Sequence, residues 1–250
     1  MASSLSKSIA TLFSKHITKH TDHSLRLFLA RTISAQLHVF GFFLALGFST
    51  TLLLTVHQRS SSLESSHWIS ALVFSATGLM VFASSSALHF LADGFQISAP
   101  ARNILRLLDH SSIYLFIAGC YTVFVLNTIK APWDSYVLTL VWSTALLGML
   151  YTALKSRLPK ALQNRWVSTA LFLALGWTVL IILPEAWSAL DGTKRGLLVL
   201  GGLSYTLGAF VYASQRPDPI PKVFGHHEIW HIAVLFGFCF HSTMILKFYL

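Results

Sequence analysis

Residues 68–92 read WISALVFSATGLMVFASSSALHFLA and contain no Asp, Glu, Lys or Arg. A helix needs about 20 predominantly apolar residues to cross the hydrocarbon core of a membrane, so this stretch predicts a transmembrane helix. Six further segments are comparably long and apolar, namely 33–56, 109–129, 133–154, 167–184, 196–214 and 228–249. The predicted fold is therefore an all-α membrane protein, a seven-transmembrane helix bundle.

The composition of the whole chain agrees with this fold class. Only 11% of the 250 residues are charged and 54% are hydrophobic, with a mean hydropathy of +0.63, whereas soluble domains carry about 25% charged residues. Cys120 and Cys239 lie within apolar segments, and their spacing predicts no disulfide framework. We expect two parts, a basic amphipathic segment at 1–30 and one transmembrane domain at 31–250.

The distribution of basic residues predicts the orientation of the bundle. With seven spans, thirteen of the 18 Lys and Arg residues fall on the side of the amino terminus and five on the opposite side. The positive-inside rule therefore predicts that the amino terminus is cytoplasmic. Contact with anionic lipid head groups explains the net charge of +9, and we expect membrane lipids rather than nucleic acid as partners.

The first 30 residues form a distinct segment. Leu5, Ile9, Leu12 and Ile17 recur at helical spacing among lysines, and the first acidic residue is Asp22. This pattern favours a short interfacial helix on the membrane surface, while the same composition also fits an organellar transit peptide. We expect a multi-pass protein of the cell membrane, inner or plasma, with an organellar membrane as the alternative.

Several ionisable residues fall at one predicted membrane level. His89 ends the second span, Asp109 opens the third, and His227 and His231 open the seventh, with His38 a short way inside the first. Ionisable groups within spans are costly and usually face the bundle interior at a functional site. Two histidines four residues apart on a helix can bind one metal ion, although histidines that are merely hydrogen-bonded in the core are the alternative explanation.

The motifs of this chain occur in a recognisable order. Ser85-x3-His89 is followed by Asp109 in LLDHSSIYLFIAGCYT and by His227-x3-His231 in FGHHEIWHIAVLFG. From about residue 31 to residue 250, the chain resembles the hemolysin III-related membrane proteins. These belong with the progestin and adipoQ receptors, including the adiponectin receptors, in a superfamily that also takes in alkaline ceramidases.

The resemblance implies a seven-helix bundle with a zinc ion near the cytoplasmic side. Carried over to this sequence, the zinc ligands would be His89, His227 and His231. Asp109 would hold and polarise a zinc-bound water, and Ser85 would support the site or bond to a substrate oxygen.

The first span departs from the pattern of the family. Hemolysin III-related proteins usually open this span with Glu-x2-Asn-x3-His, and the matching residues here are Arg31, Ser34 and His38. We therefore leave Arg31 and Ser34 out of the predicted site and keep His38 only as a residue at its edge.

Three classes of function remain open on this basis. Three histidines on zinc leave one position for water, which is typical of catalytic sites, and the resemblance implies a metal-dependent hydrolase of lipid amide or ester bonds with a ceramide-like or other acyl lipid as substrate. A hemolysin III-type cytolytic or pore-forming protein is one alternative. A seven-helix receptor with a structural zinc is the other.

Overall fold

The computed structural model describes residues 33–59, 64–93, 95, 97–221 and 223–250. The interfacial helix expected within 1–30 lies outside these residues. Eight α-helices follow one another along the described chain: α1 Ile33–Gln58, α2 Ser65–Ala87, α3 Ala99–Thr128, α4 Trp133–Leu154, α5 Arg165–Gly176, α6 Leu183–Ala189, α7 Gly192–Ser214 and α8 His226–Leu246.

Six of the helices in the described ranges are long and apolar enough to cross a membrane, namely α1, α2, α3, α4, α7 and α8. The segments Arg165–Ile181 and Leu183–Ala189 bend by 67° at a short break and make a seventh span if the pair is counted as one. Large apolar side chains face outward on these helices, and Leu147 of α4 is 65% exposed. The all-α membrane bundle is thus confirmed.

The fifth span is broken rather than continuous, contrary to the uninterrupted helix expected over 167–184. After α5 the chain forms a 3₁₀ turn, Trp177–Ile181, before α6 begins. Such a break frees backbone groups that lipid cannot satisfy. The hydroxyl of Tyr121 on α3 satisfies two of them, because it donates to the Gly176 carbonyl (2.7 Å) and accepts from the Val179 N–H (2.6 Å).

Helix α3 begins ten residues before the predicted start, so the expectation that Asp109 opens the third span is wrong. Ser98 caps the helix through its side chain, and Pro100 stands in the first turn, where its missing N–H costs nothing. Three turns that carry Arg102 and Arg106 therefore precede the apolar part of α3. By helical rise, Asp109 lies about 15 Å from the start of the helix.

Small residues allow the helices to approach closely, as is common in membrane bundles. The ring of Tyr205 on α7 lies against Gly237 of α8, and the imidazole of His241 on α8 lies against Gly201 of α7. A β-carbon at either glycine would overlap the ring that it faces. This reciprocal contact holds α7 and α8 together.

We call one end of the bundle the histidine end. It is the end where α1, α3 and α8 begin and where α2 finishes, as the contacts His38–His231 and Ser85–Asp109 require. A cluster of phenylalanines packs the core beyond this end, with Phe82 and Phe238 in edge contact at 5.0 Å between ring centroids. Apolar side chains therefore follow the polar residues along the bundle.

Candidate metal centre

His89 lies where α2 changes its winding. From Leu88 to Asp93 the chain continues as a π-helix, a wider turn that is often found at functional sites. His89 stands on the first turn of this segment and is 7% exposed. The wider turn carries the imidazole into the bundle at the histidine end.

The first turn of α8 carries two histidines and a buried acid. Gly225 is the N-cap, and its N–H donates to Oε2 of Glu228 (2.8 Å), so that the acid satisfies a helix-terminal donor. The other carboxylate oxygen of Glu228 accepts from the hydroxyl of Ser34 on α1 (2.8 Å). The bond to Ser34 joins the start of α8 to α1, and His227 and His231 lie on the first two turns of α8.

Four imidazoles meet at the histidine end. Nε2 of His38 is 2.8 Å from Nδ1 of His231, and the His38 ring stacks on that of His89 with 5.5 Å between centroids. His38, His89 and His231 are buried, and each offers a ring nitrogen within 4.8 Å of the others. The ring centroid of His227 is 4.3 Å from that of His231 and 5.1 Å from that of His89. His227 does not belong to the group of three histidines whose ring nitrogens lie within 4.8 Å of one another.

The donor set fits a metal ion. Nε2 of His231 is buried and has no hydrogen-bond partner among the described residues, although a buried polar atom is costly when it stays unpaired. Imidazole nitrogens are ligands that zinc and other transition metals prefer. The buried cluster of His38, His89 and His231 could therefore hold a metal ion.

Asp109 stands beside this cluster on α3. The hydroxyl of Ser85 donates to its Oδ1, and its Oδ2 is 3.7 Å from Nδ1 of His110. The Ser85 hydroxyl therefore bonds to the Asp109 carboxylate rather than only to the backbone of its own helix. The bond fixes one oxygen of Asp109 and leaves the second for another partner.

An internal cavity of about 710 Å³ joins these groups. Ser85, His89, Asp109, His227 and His231 all line it, as does His38. From Arg102 to Phe124 the cavity follows α3, a distance of about 33 Å by helical rise. Its volume lies within the range of about 300–1,000 Å³ that is usual for small-molecule sites, and most of its lining is apolar.

Two residues that the sequence placed outside or at the edge of the site belong to its framework. His38 lies within the imidazole cluster rather than at its edge, and Ser34 bonds to the buried Glu228. Arg31 lies outside the described residues. Sequence reasoning did not select Glu228, although a buried acid at the start of an apolar span must find donors. Ser34 on the first span and the N–H of Gly225 are those donors.

The fold and the cavity define a class of protein, a multi-pass helical membrane protein with a buried imidazole cluster at one end. The family is shown by comparison with known sequences. Residues 28–242 match the haemolysin-III related family, and the chain belongs to that family. The resemblance inferred from the motifs is thereby confirmed.

Two relatives from bacteria illustrate the similarity. The Hemolysin-3 homolog of Bacillus subtilis (strain 168) is 33% identical over 171 residues, which are 68% of this chain and 72% of that protein. Hemolysin-3 of Bacillus cereus is 30% identical over 167 residues, which are 66% of this chain and 68% of that protein.

Proposed function

We propose that the protein is a zinc-dependent hydrolase that cleaves an amide or ester bond of an acyl lipid. The observation that carries the proposal is the position of the imidazole cluster beside Asp109 on an internal cavity with a mostly apolar lining. An acyl chain fits such a lining because it buries apolar surface without leaving polar groups unpaired. The carbonyl of the same lipid would then lie near the histidines.

His89 and His231 are proposed zinc ligands, and the third is either His38, which the geometry groups with them, or His227, which the resemblance to the family implies. Zinc held by these residues would supply a Lewis acid for the acyl carbonyl. The histidines would hold the metal as neutral imidazoles, and the burial of His89 and His231 limits the access of bulk water to the reacting group.

Asp109 is the proposed general base. Because Ser85 occupies Oδ1 of Asp109, the carboxylate is held in one orientation and Oδ2 remains to accept a proton. Water attacks the acyl carbon as Asp109 takes its proton, and the same proton then passes to the leaving amine or alkoxide. A positioned carboxylate in this role typically contributes a factor of about 10²–10⁴ in rate.

The experiment compares wild type with Asp109→Asn for release of fatty acid from a panel of ceramides and glycerol esters. The variant keeps shape and hydrogen bonding but cannot accept a proton, so we expect full zinc content and a rate lower by about 10²–10⁴. Asp134→Asn, in the first turn of α4, is the matched control and should retain the wild-type rate. Undiminished release by a zinc-loaded Asp109→Asn protein would refute the role of Asp109.

A structural metal in a receptor is the second candidate, and His38 is the observation that favours it. Four imidazoles could occupy all positions of a tetrahedral zinc, as in closed structural sites. In that case His38→Ala would open the site and weaken zinc retention without creating lipid turnover. The names of the two relatives suggest a third candidate, lysis of membranes, which dye release from liposomes would test.

A further inference from the structure

The side of α3 that faces the cavity changes its chemistry along the helix. Its cavity-lining residues recur at spacings of three and four, starting with Arg102, Arg106 and Asp109 and continuing through Ile113 and Ile117 to Phe124. Residues at these spacings share one helix face. One face of α3 therefore presents two cations first, then the carboxylate of the candidate centre, and then an apolar wall.

Arg102 and Arg106 are the lysine or arginine residues that line the cavity in the described part of the chain. Within the described ranges, the guanidinium groups of Arg102 and Arg106 have no hydrogen bond or ion pair. By contrast, Lys155 donates to Ser168 (2.6 Å), and Arg165 donates to the Tyr212 carbonyl and stacks on the Tyr212 ring. Arg102 and Arg106 thus line the cavity as cations, and their guanidinium donors have no partner among the described residues.

The charges that face these arginines leave this part of the cavity positive. Asp109 is the one carboxylate among the cavity-lining residues of the described chain, and its Oδ1 is occupied by Ser85. Arginine presents a planar fork of donors that matches a phosphate or carboxylate, and such bonds are stronger than bonds between neutral groups. Helical rise puts Arg106 about 4.5 Å and Arg102 about 10 Å from Asp109 along the axis.

We infer that the lipid which enters this cavity carries an anionic group, a phosphate or carboxylate, next to its acyl linkage. Arg102 and Arg106 bind the anion, the acyl linkage lies beside Asp109 and the histidines, and the chain extends along the apolar wall of α3. The inference rests on the proposed function for the linkage that is cleaved, but binding of the anionic lipid does not require cleavage. Arg102 and Arg106 are specificity-determining residues in this account.

The test uses two lipids that differ only in the phosphate, 1-oleoyl glycerol 3-phosphate and 1-oleoyl glycerol. Binding to the full chain in neutral nanodiscs is measured by displacement of a fluorescent acyl lipid, and fatty-acid release is measured in parallel. We expect wild type to bind the phosphate lipid at least about tenfold more tightly, as one or two charge-assisted hydrogen bonds would give.

The variants separate a site from a general attraction of anionic lipid to basic residues. In the double variant Arg102→Gln/Arg106→Gln the preference should disappear, and in Arg102→Lys/Arg106→Lys it should be reduced but retained. Arg157→Gln, which removes a cation that does not line the cavity, is the matched control and should keep the full preference. Zinc content and thermal unfolding of each variant are compared with wild type to establish that the bundle is intact.

Equal binding of the two lipids to wild type would overturn the inference, and so would a preference that persists in the double glutamine variant. Inorganic phosphate is tested as a third competitor. If it displaces the probe as effectively as the phosphate lipid does, the site binds a simple anion rather than a lipid, and the inference is overturned. An arginine-dependent preference without release of fatty acid from any lipid would support the inference and refute the hydrolase instead.

Discussion

The hydroxyl of Tyr121 should be a principal support of the broken fifth span. It donates to the Gly176 carbonyl at 2.7 Å and accepts from the Val179 N–H at 2.6 Å, and Tyr121 is 7% exposed. Tyr121→Phe removes both bonds inside the bundle. A net contribution of about 0.5–1.5 kcal/mol from each hydrogen bond predicts a loss of about 1–3 kcal/mol.

Thermal unfolding in detergent measures this loss. For a chain of this size, 1 kcal/mol corresponds to about 2–4 °C in Tm, so the variant should unfold roughly 2–12 °C below wild type. A thiol-reactive fluorophore reports the transition through Cys120 and Cys239, which are free cysteines within the bundle. Far-UV circular dichroism gives a second reading that does not depend on the cysteine next to the mutated residue.

Tyr136→Phe is the matched control, because Tyr136 is 63% exposed and its hydroxyl has no hydrogen bond in the described part of the chain. Its Tm should equal that of wild type. A Tyr121→Phe protein that unfolds at the wild-type temperature would refute the claim that this hydroxyl satisfies the break. The cavity wall formed by the 3₁₀ turn would then need another support.

Three further predictions concern packing, the first span and orientation. Gly201→Ala puts a β-carbon into the His241 imidazole and should cost about 1–3 kcal/mol, whereas the neighbouring Gly202 has open space and Gly202→Ala should be neutral in the same unfolding assay; equal effects would contradict the packing. Ser34→Ala removes the donor to Oε1 of Glu228 and should lower the unfolding free energy by about 1–3 kcal/mol, and an unchanged stability would show that this oxygen does not depend on Ser34. Terminal reporter fusions should give a cytoplasmic signal at the amino terminus and an external signal at the carboxyl terminus, and the opposite result would reverse the orientation.

The helical bundle could be predicted from sequence because apolar length alone defines a membrane span. The start of the third helix could not, since hydropathy follows apolar residues while helix starts follow capping. Ser98 and Pro100 begin α3, and Arg102 and Arg106 look like loop residues when only hydropathy is considered. Hydropathy also does not predict the bend after Gly176, because that bend depends on the Tyr121 hydroxyl from another helix.

The candidate site was predicted in outline for a different reason. His89, Asp109 and His231 were placed at one level by topology, which requires no side-chain geometry. The contributions of Ser34 and Glu228 depend on a contact between the first and last spans, and comparison of Ser34 with the usual asparagine of the family gave no indication of it. His38 was predicted at the edge of the site because its depth in the membrane does not show which side of α1 its imidazole lies on.

The central claim is that the imidazole cluster holds a metal, and the most direct measurement is the zinc content of the purified protein. We predict about one zinc per chain in wild type and in His57→Ala, a control histidine that lies toward the other end of α1 and is exposed. His231→Ala should lose most of its zinc, because His231 contacts His38, His89 and His227. A wild-type protein without zinc, or a His231→Ala protein with as much zinc as wild type, would contradict the account.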